Sequence, residues 1–319
     1  MIQFLIKRFI GLLFVITGVT FITFMLGYVA PGDPIRNLLG QHFSPTTYAV
    51  LRHAYGLDLP WYQQYGNYVL NLLHGNFGTS FVTANRPVWD ILKDGVPVSA
   101  ELGLGALIIQ ILVGVPIGII SALRANTLTD TASMTGMLIL YSLPPFVLAT
   151  FAQVIIVWLD SLTGGAWPVA NWGTPWHYSW ADIQFKLAPI LVVAALLMGY
   201  TARLSRTTML EVLRQDFVRT ARSKGLHERR VIYLHTFRNA MIPLITVFGY
   251  SFGLIITGAF FTEQIFNIPG IAQASIVSIG QRDYPVIQAT TVLLAVAVVF
   301  GNALSDILYS VADPRIKVQ

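Results

Sequence analysis

Six long apolar runs constrain this chain more than any other feature, because a helix needs about 20 such residues to cross a bilayer. They lie at about residues 9–30, 102–123, 134–159, 187–202, 241–262 and 286–305. The fourth is the shortest, and Tyr200 and Thr201 carry it a little further before Arg203. The third contains Pro144-Pro145, which removes backbone donors and is expected to kink or break the helix there. Composition agrees with spanning. Hydrophobic residues make up 55% of the 319 and charged residues 11%, less than half the share of about 25% usual in soluble domains. The expected fold is therefore all-α, with six transmembrane helices in a single transmembrane domain.

Lys7-Arg8 followed by an apolar run to Ala30 has the outline of a signal peptide, but its length of about 22 residues exceeds a signal core of roughly 7–15. We read it as a retained first span. Sidedness follows from the basic residues, which favour the cytoplasmic flank of a span. Segments 1–8, 124–133, 203–240 and the tail hold 14 of the 20 Lys and Arg. On this count both termini and the loop 203–240 are expected to be cytoplasmic, and the large loop 31–101 external. Positive charge placed this way has a topological cause and does not point to nucleic acid. The absence of cysteine excludes disulfides, thiol catalysis and Cys-based metal sites.

Topology alone does not explain how the basic loop is patterned. Leu210, Leu213, Phe217 and Ala221 recur at spacings of 3, 4 and 4, which predicts one helical face. Gly225 follows Lys224, as expected where a helix ends in a left-handed cap with a cation in its last turn. A second helical stretch is expected from about Glu228 to Asn239. The loop thus reads as helix, glycine turn, helix. Two roles fit this pattern: an amphipathic surface lying on anionic lipid, and a knob that docks on a partner protein, with Ala221 small enough for close approach.

The run "RTARSKG" (219–225) resembles the EAA loop of permease subunits in bacterial ABC importers, whose pattern is Glu-Ala-Ala-x-x-x-Gly. Arg219, Thr220 and Ala221 take the triplet and Gly225 the glycine, with Arg219 and Thr220 departing from Glu and Ala. Those departures, within "EVLRQDFVRTARSKGL" and before "RNAMIP", resemble the dipeptide and oligopeptide permeases. So do "APGDP" (30–34), "GLDLPWYQQY" (56–65), "HGNFGTS" (74–80), "RDYPVIQ" (282–288) and "ADPRI" (312–316). Asn76 stands where that group is expected to have Asp. The resemblance implies the type I ABC importer permease fold and residence in the bacterial cytoplasmic (inner) membrane. It also implies an assembly with a second permease subunit, two ATPase subunits and an external solute-binding protein. In such an assembly Phe217, Arg219, Thr220, Ala221, Arg222, Lys224 and Gly225 form the ATPase-coupling loop. ATP and Mg reside on the partner ATPases, with no cofactor on this chain. The resembling members move dipeptides, longer peptides, glutathione-like peptides or metal chelates, selected largely by the binding protein.

Enzymatic readings find no support in the residues. A phosphate-binding loop needs Lys followed by Ser or Thr, whereas Lys7, Lys93, Lys186, Lys224 and Lys317 precede Arg, Asp, Leu, Gly and Val. His227-Glu228 lacks the second His of a zincin helix, and no Gly-x-Ser-x-Gly elbow occurs. The alternative is an ion-coupled secondary transporter, which places ionisable residues near the midplane. Here Asp306 lies near the inner end of the sixth span, and Glu101 and Glu263 lie at outer ends. Gln110, Ser142, Gln153 and Asn302 are candidates either for lining a path or for bridging helices. The aromatic group Trp61, Tyr62, Tyr65 and Tyr68 reads as an interfacial helix, since Trp and Tyr suit the headgroup level.

Overall fold

Each apolar run folds as helix. The computed structural model describes residues 2–30, 32–39, 44–83, 86–165 and 167–312. In chain order the helices are α1 (Ile2–Val29), α2 (Pro34–Leu39), α3 (Pro45–Ala54), α4 (Trp61–Leu73) and α5 (Val88–Ile109). A π-helical segment, Gln110–Gly114, carries α5 directly into α6 (Val115–Leu123). Then come α7 (Leu128–Ser142), α8 (Pro145–Thr163), α9 (Trp180–Leu213), α10 (Asp216–Ser223) and α11 (Glu228–Arg230). A second π-helical segment, Val231–Phe237, leads into α12 (Arg238–Ile265), followed by α13 (Ile271–Gln281) and α14 (Tyr284–Ala312). Among the described residues, six helical stretches are long and apolar enough to cross a membrane. The tail motif "ADPRI" lies outside the described residues from position 313 onward.

Three boundaries differ from the hydropathy reading. The run 134–159 is two helices, because Leu143 and Pro144 adopt extended backbone between α7 and α8. Pro144 precedes another proline, which pushes its own backbone out of the α region. The fourth run, expected at 187–202, is the middle of a 34-residue helix. Its first turn is fixed by Ser179, whose hydroxyl accepts the Asp182 amide, and at its other end Ser205, Thr208 and Met209 are buried while Arg203 and Thr207 are exposed. Residues 203–213 are thus amphipathic helix rather than loop. The second run begins at Val88 instead of about 102, since Val88 and Leu92 are buried while Asp90, Lys93 and Asp94 face outward.

The chain forms two compact units, Met1–Ser99 with Pro269–Val296 and Ala100–Ile268 with Ala297–Gln319. In the first, Val88 and Leu92 pack with Ile271, Val286 and Ala289. The turn after Phe77 is held by Asp283, which accepts from the Ser80 hydroxyl and, at 3.0 Å, from the Phe81 amide. The aromatic residues of α4 lie along α1: Tyr65 meets Phe21 edge-on at 5.5 Å and Tyr68 stacks on Phe24 at 6.4 Å.

In the second unit α9 is the central helix, with α6, α7 and α12 packed on it. Small residues permit the close approach that drives helix association in a membrane. A Cβ on Gly118 would overlap the Ala202 carbonyl, and one on Gly199 would overlap the Met137 carbonyl. The α6–α7 turn is pinned to α9 by an ion pair in which Arg206 donates twice to Asp130, Nε to Oδ1 and an NH2 to Oδ2, each at 2.7 Å. Ser121 and the Asn126 amide also donate to Asp130. The Arg206 guanidinium, with the Ser121 and Asn126 donors, holds the Asp130 carboxyl well below the usual carboxylate range, against the opposing effect of burial.

Candidate functional site

The basic loop folds into a small knob. Its first helix does not continue from α9 as the spacing predicts. The Arg214 and Gln215 amides close tight bonds to Glu211 and Val212, and Gln215 then turns extended and begins α10. This break turns Val218 and Ala221 inward onto Val231, with Val212 and Leu226 packed around them. Phe217, expected on the same face as Ala221, is instead 45% exposed. Burial of Val218 overrides the register that Leu210 and Leu213 would have set. Ala221 is buried and packs with Val218 and Val231 inside the knob.

Gly225 does what its position predicts. Its φ is +73°, its amide donates to the Arg222 carbonyl at 2.9 Å, and the Leu226 amide reaches the Ala221 carbonyl at 3.4 Å. This is a Schellman ending, and Leu226 supplies the apolar contact that accompanies it. His227 then caps α11 by accepting the Arg229 amide. Arg222 reaches across the turn to Glu228 at 2.8 Å. Arg219 is only loosely paired with Asp216, at 3.7 Å. The outward surface is therefore Phe217, Arg219, Thr220, Arg222 and Lys224, an exposed aromatic ring among cations. The knob core contains Val212 from α9 and Val231 from the segment entering α12, so it is built onto two long helices at once.

The four polar residues inside the apolar runs are not brought together. Gln110 is 1% exposed and donates to Thr201 at 2.7 Å and to Ser251 at 3.2 Å, joining the π-helical segment Gln110–Gly114 to α9 and α12. Gln153 donates to the Val169 and Ile265 carbonyls at 2.8 and 2.9 Å. Both are helix bridges. Ser142 is exposed and turns back to the Leu138 carbonyl of its own helix, and Asn302 is exposed on α14. The Asp306 side chain lies outside the described residues.

A constellation that spacing could not reveal surrounds Glu101. It pairs with Lys186 at 2.8 Å, both being 2% exposed. Trp172 Nε1 and the Trp176 amide donate to its other oxygen at 2.9 Å. Lys186 spends its remaining donors on the Thr174 and His177 carbonyls, at 2.8 and 2.7 Å, and sits 4.8 Å from the centre of the Tyr178 ring. All three ammonium hydrogens are used, so the connection before α9 is locked onto α5 and α9.

The sequence itself matches a known family along nearly its whole length. Residues 114–318 match the model of the binding-protein-dependent transport system inner membrane component. Residues 1–103 match the N-terminal model of the same transport-system membrane components. The chain belongs to this family. As a binding-protein-dependent transport component it is an integral protein of the inner membrane. It is 38% identical to the di/tripeptide transport system permease protein DppB of Pseudomonas aeruginosa, over 100% of both chains. With the dipeptide transport system permease protein DppB of Bacillus subtilis it shares 38% identity, over 100% of this chain and 99% of that one. With the Escherichia coli protein of that name the identity is 34%, over 99% of each. Among solved structures it shares its fold with a chain of the inward-facing MetNI methionine ABC transporter. The TM-score is 0.54 at 15% identity, over 70% of this chain and 96% of the other.

Proposed function

We propose that this chain is the permease subunit of an ATP-driven importer of dipeptides or oligopeptides, forming half of the translocation path. The observation that carries the substrate class is the 38% identity, along the whole length, to a di/tripeptide permease. Its partners are a second permease, two ATPases and an external solute-binding protein, and ATP and Mg bind on the ATPases. Both termini and the knob face the cytoplasm, as the basic residues suggest.

The knob's construction supports a coupling role. An ATPase groove takes the exposed Phe217 ring and the Thr220 hydroxyl, with Arg219, Arg222 and Lys224 meeting an acidic rim. Gly225 ends α10 in one fixed geometry, so a push on that surface moves the knob as a body. Val212 and Val231 then pass the displacement to α9 and α12 together, biasing a two-state rearrangement of the spans. The role of this chain is to receive and transmit force, and it performs no bond chemistry.

The test is uptake of radiolabelled alanyl-phenylalanine by proteoliposomes containing both permeases and the ATPases, with binding protein outside. Uptake is expected only with internal ATP and external binding protein. Uptake that survives without ATP and collapses with a protonophore would sink this reading in favour of ion-coupled transport.

A further inference from the structure

The unit formed by Met1–Ser99 and Pro269–Val296 contains an open pocket of about 660 Å³. Its size falls within the roughly 300–1,000 Å³ of small-molecule sites. One wall is a face of α4, where Gln64, Asn67, Tyr68 and Asn71 recur at helical spacing. Tyr284 and Gln288, one turn apart on α14, and Asn76 add to it. Aromatic surface comes from Phe24, Phe77 and Phe81. Among the described lining residues the charged groups are one acid, Asp33, and one base, Arg52, and the Arg282 guanidinium lies against the lining Gly32.

The donors and acceptors are only partly used. The carboxamides of Asn67, Asn71 and Gln288 make no hydrogen bond among the described residues. Gln64 spends its amide on the Leu59 carbonyl and keeps its oxygen, while Asn76 spends its oxygen on Gly78 and keeps its amide. The Tyr68 and Tyr284 hydroxyls are shielded from solvent and have no hydrogen-bond partner among the described residues. Arg52 makes one long bond, 3.4 Å, to Tyr48. Asp33 accepts the Tyr48 hydroxyl on Oδ2 and the Ile35 and Arg36 amides on Oδ1, at 3.0 and 3.4 Å, and each oxygen still has room for a further donor.

We propose that this pocket is a binding site for a short zwitterionic peptide on the permease itself. Each carboxamide both donates and accepts, which matches the alternating N–H and C=O of a peptide backbone. Arg52 suits the terminal carboxylate, Asp33 the terminal ammonium, and the aromatic rings an apolar side chain. A carbohydrate would use the amides and rings but has no need of the two opposite charges. The proposal rests on the peptide-import reading, and on the proposed orientation the pocket opens on the side from which peptide arrives.

The experiment uses the assembled permeases and ATPases in lipid nanodiscs without binding protein, and equilibrium dialysis of radiolabelled alanyl-phenylalanine. Saturable binding is expected, weakened at least tenfold by Arg52→Gln or Asn71→Leu. On the parent protein, unlabelled alanyl-phenylalanine is expected to compete at least tenfold better than its N-acetylated, amidated form, and maltose not at all. Absent saturable binding, binding indifferent to both variants, or equal competition by the blocked peptide or maltose overturns the proposal. ATP-driven uptake with binding protein is measured on the same preparation. Uptake without pocket binding removes the pocket and leaves the function standing, whereas absence of peptide uptake removes the function.

Discussion

Gly225 isolates one physical effect cleanly. A Cβ placed there meets nothing within 4 Å, yet the backbone is left-handed at φ +73°. Any cost of substitution is therefore conformational, about 1–2 kcal/mol for an ordinary L-residue. Gly225→Val is expected to weaken ATPase association about five- to thirtyfold, since about 1.4 kcal/mol is a factor of ten. Gly225→Asn is expected to lose much less, because Asn tolerates this region. Co-purification of the ATPases at matched membrane levels reads the difference; equal retention by parent and Val variant would return the knob to a lipid-anchoring role. Lys186 offers the opposite case, a buried charge with every donor engaged. Lys186→Met leaves Glu101 buried without its counter-ion, which costs about 3–5 kcal/mol. Pairing it with Glu101→Gln is expected to restore much of that loss. Denaturant titration of the solubilised protein measures both, and a single-variant cost under about 1 kcal/mol would remove the pair as a latch.

At the scale of elements, the turn between α6 and α7 depends on Asp130 remaining ionised against Arg206. Its carboxyl is held below the ordinary range in the folded chain. Its contribution is therefore fully present above the unfolded carboxylate value of about 3.9 and fades as pH falls through the lower folded value. Asp130→Asn is expected to flatten the acid limb of a stability profile between about pH 4 and pH 2 relative to the parent; an unchanged acid limb would show that another group governs it. The apolar cores of the spans were legible because hydropathy reports burial in lipid directly. The continuation of α9 through residues 203–209 was not, since Arg203 and Arg206 mask a helix whose other face packs inward. The same limit applies to the knob. Gly225 was readable as a helix stop, because only glycine takes that conformation freely. The break at Gln215 has no glycine or proline to announce it and comes from the burial of Val218. Glu101 and Lys186, 85 positions apart, carry no local signal of their pairing.

For the whole molecule, the proposed orientation makes firm demands. Reporter fusions after Asn126 and Gly225 are expected on the cytoplasmic side, and fusions after Thr174 outside. A knob reporter found outside would detach the chain from any cytoplasmic ATPase and undo the coupling account. The π-helical segment Gln110–Gly114 has a consequence of a different kind, which concerns counting. Its bonds close five residues apart rather than four, so the path from α5 to α6 holds slack that an ordinary helix lacks. Each α-helical residue turns the chain by about 100°, so an extra residue held by ordinary α-helical bonds would turn everything after it by that angle. The wider π-helical bonds absorb that residue locally, and Gly118 keeps its place against the Ala202 carbonyl. Deleting one residue of Gln110–Gly114 is therefore expected to close the segment to α-helix with α6 still facing α9. Deleting one residue of α6 ahead of Gly118 would instead bring a bulkier side chain to the point where no Cβ fits.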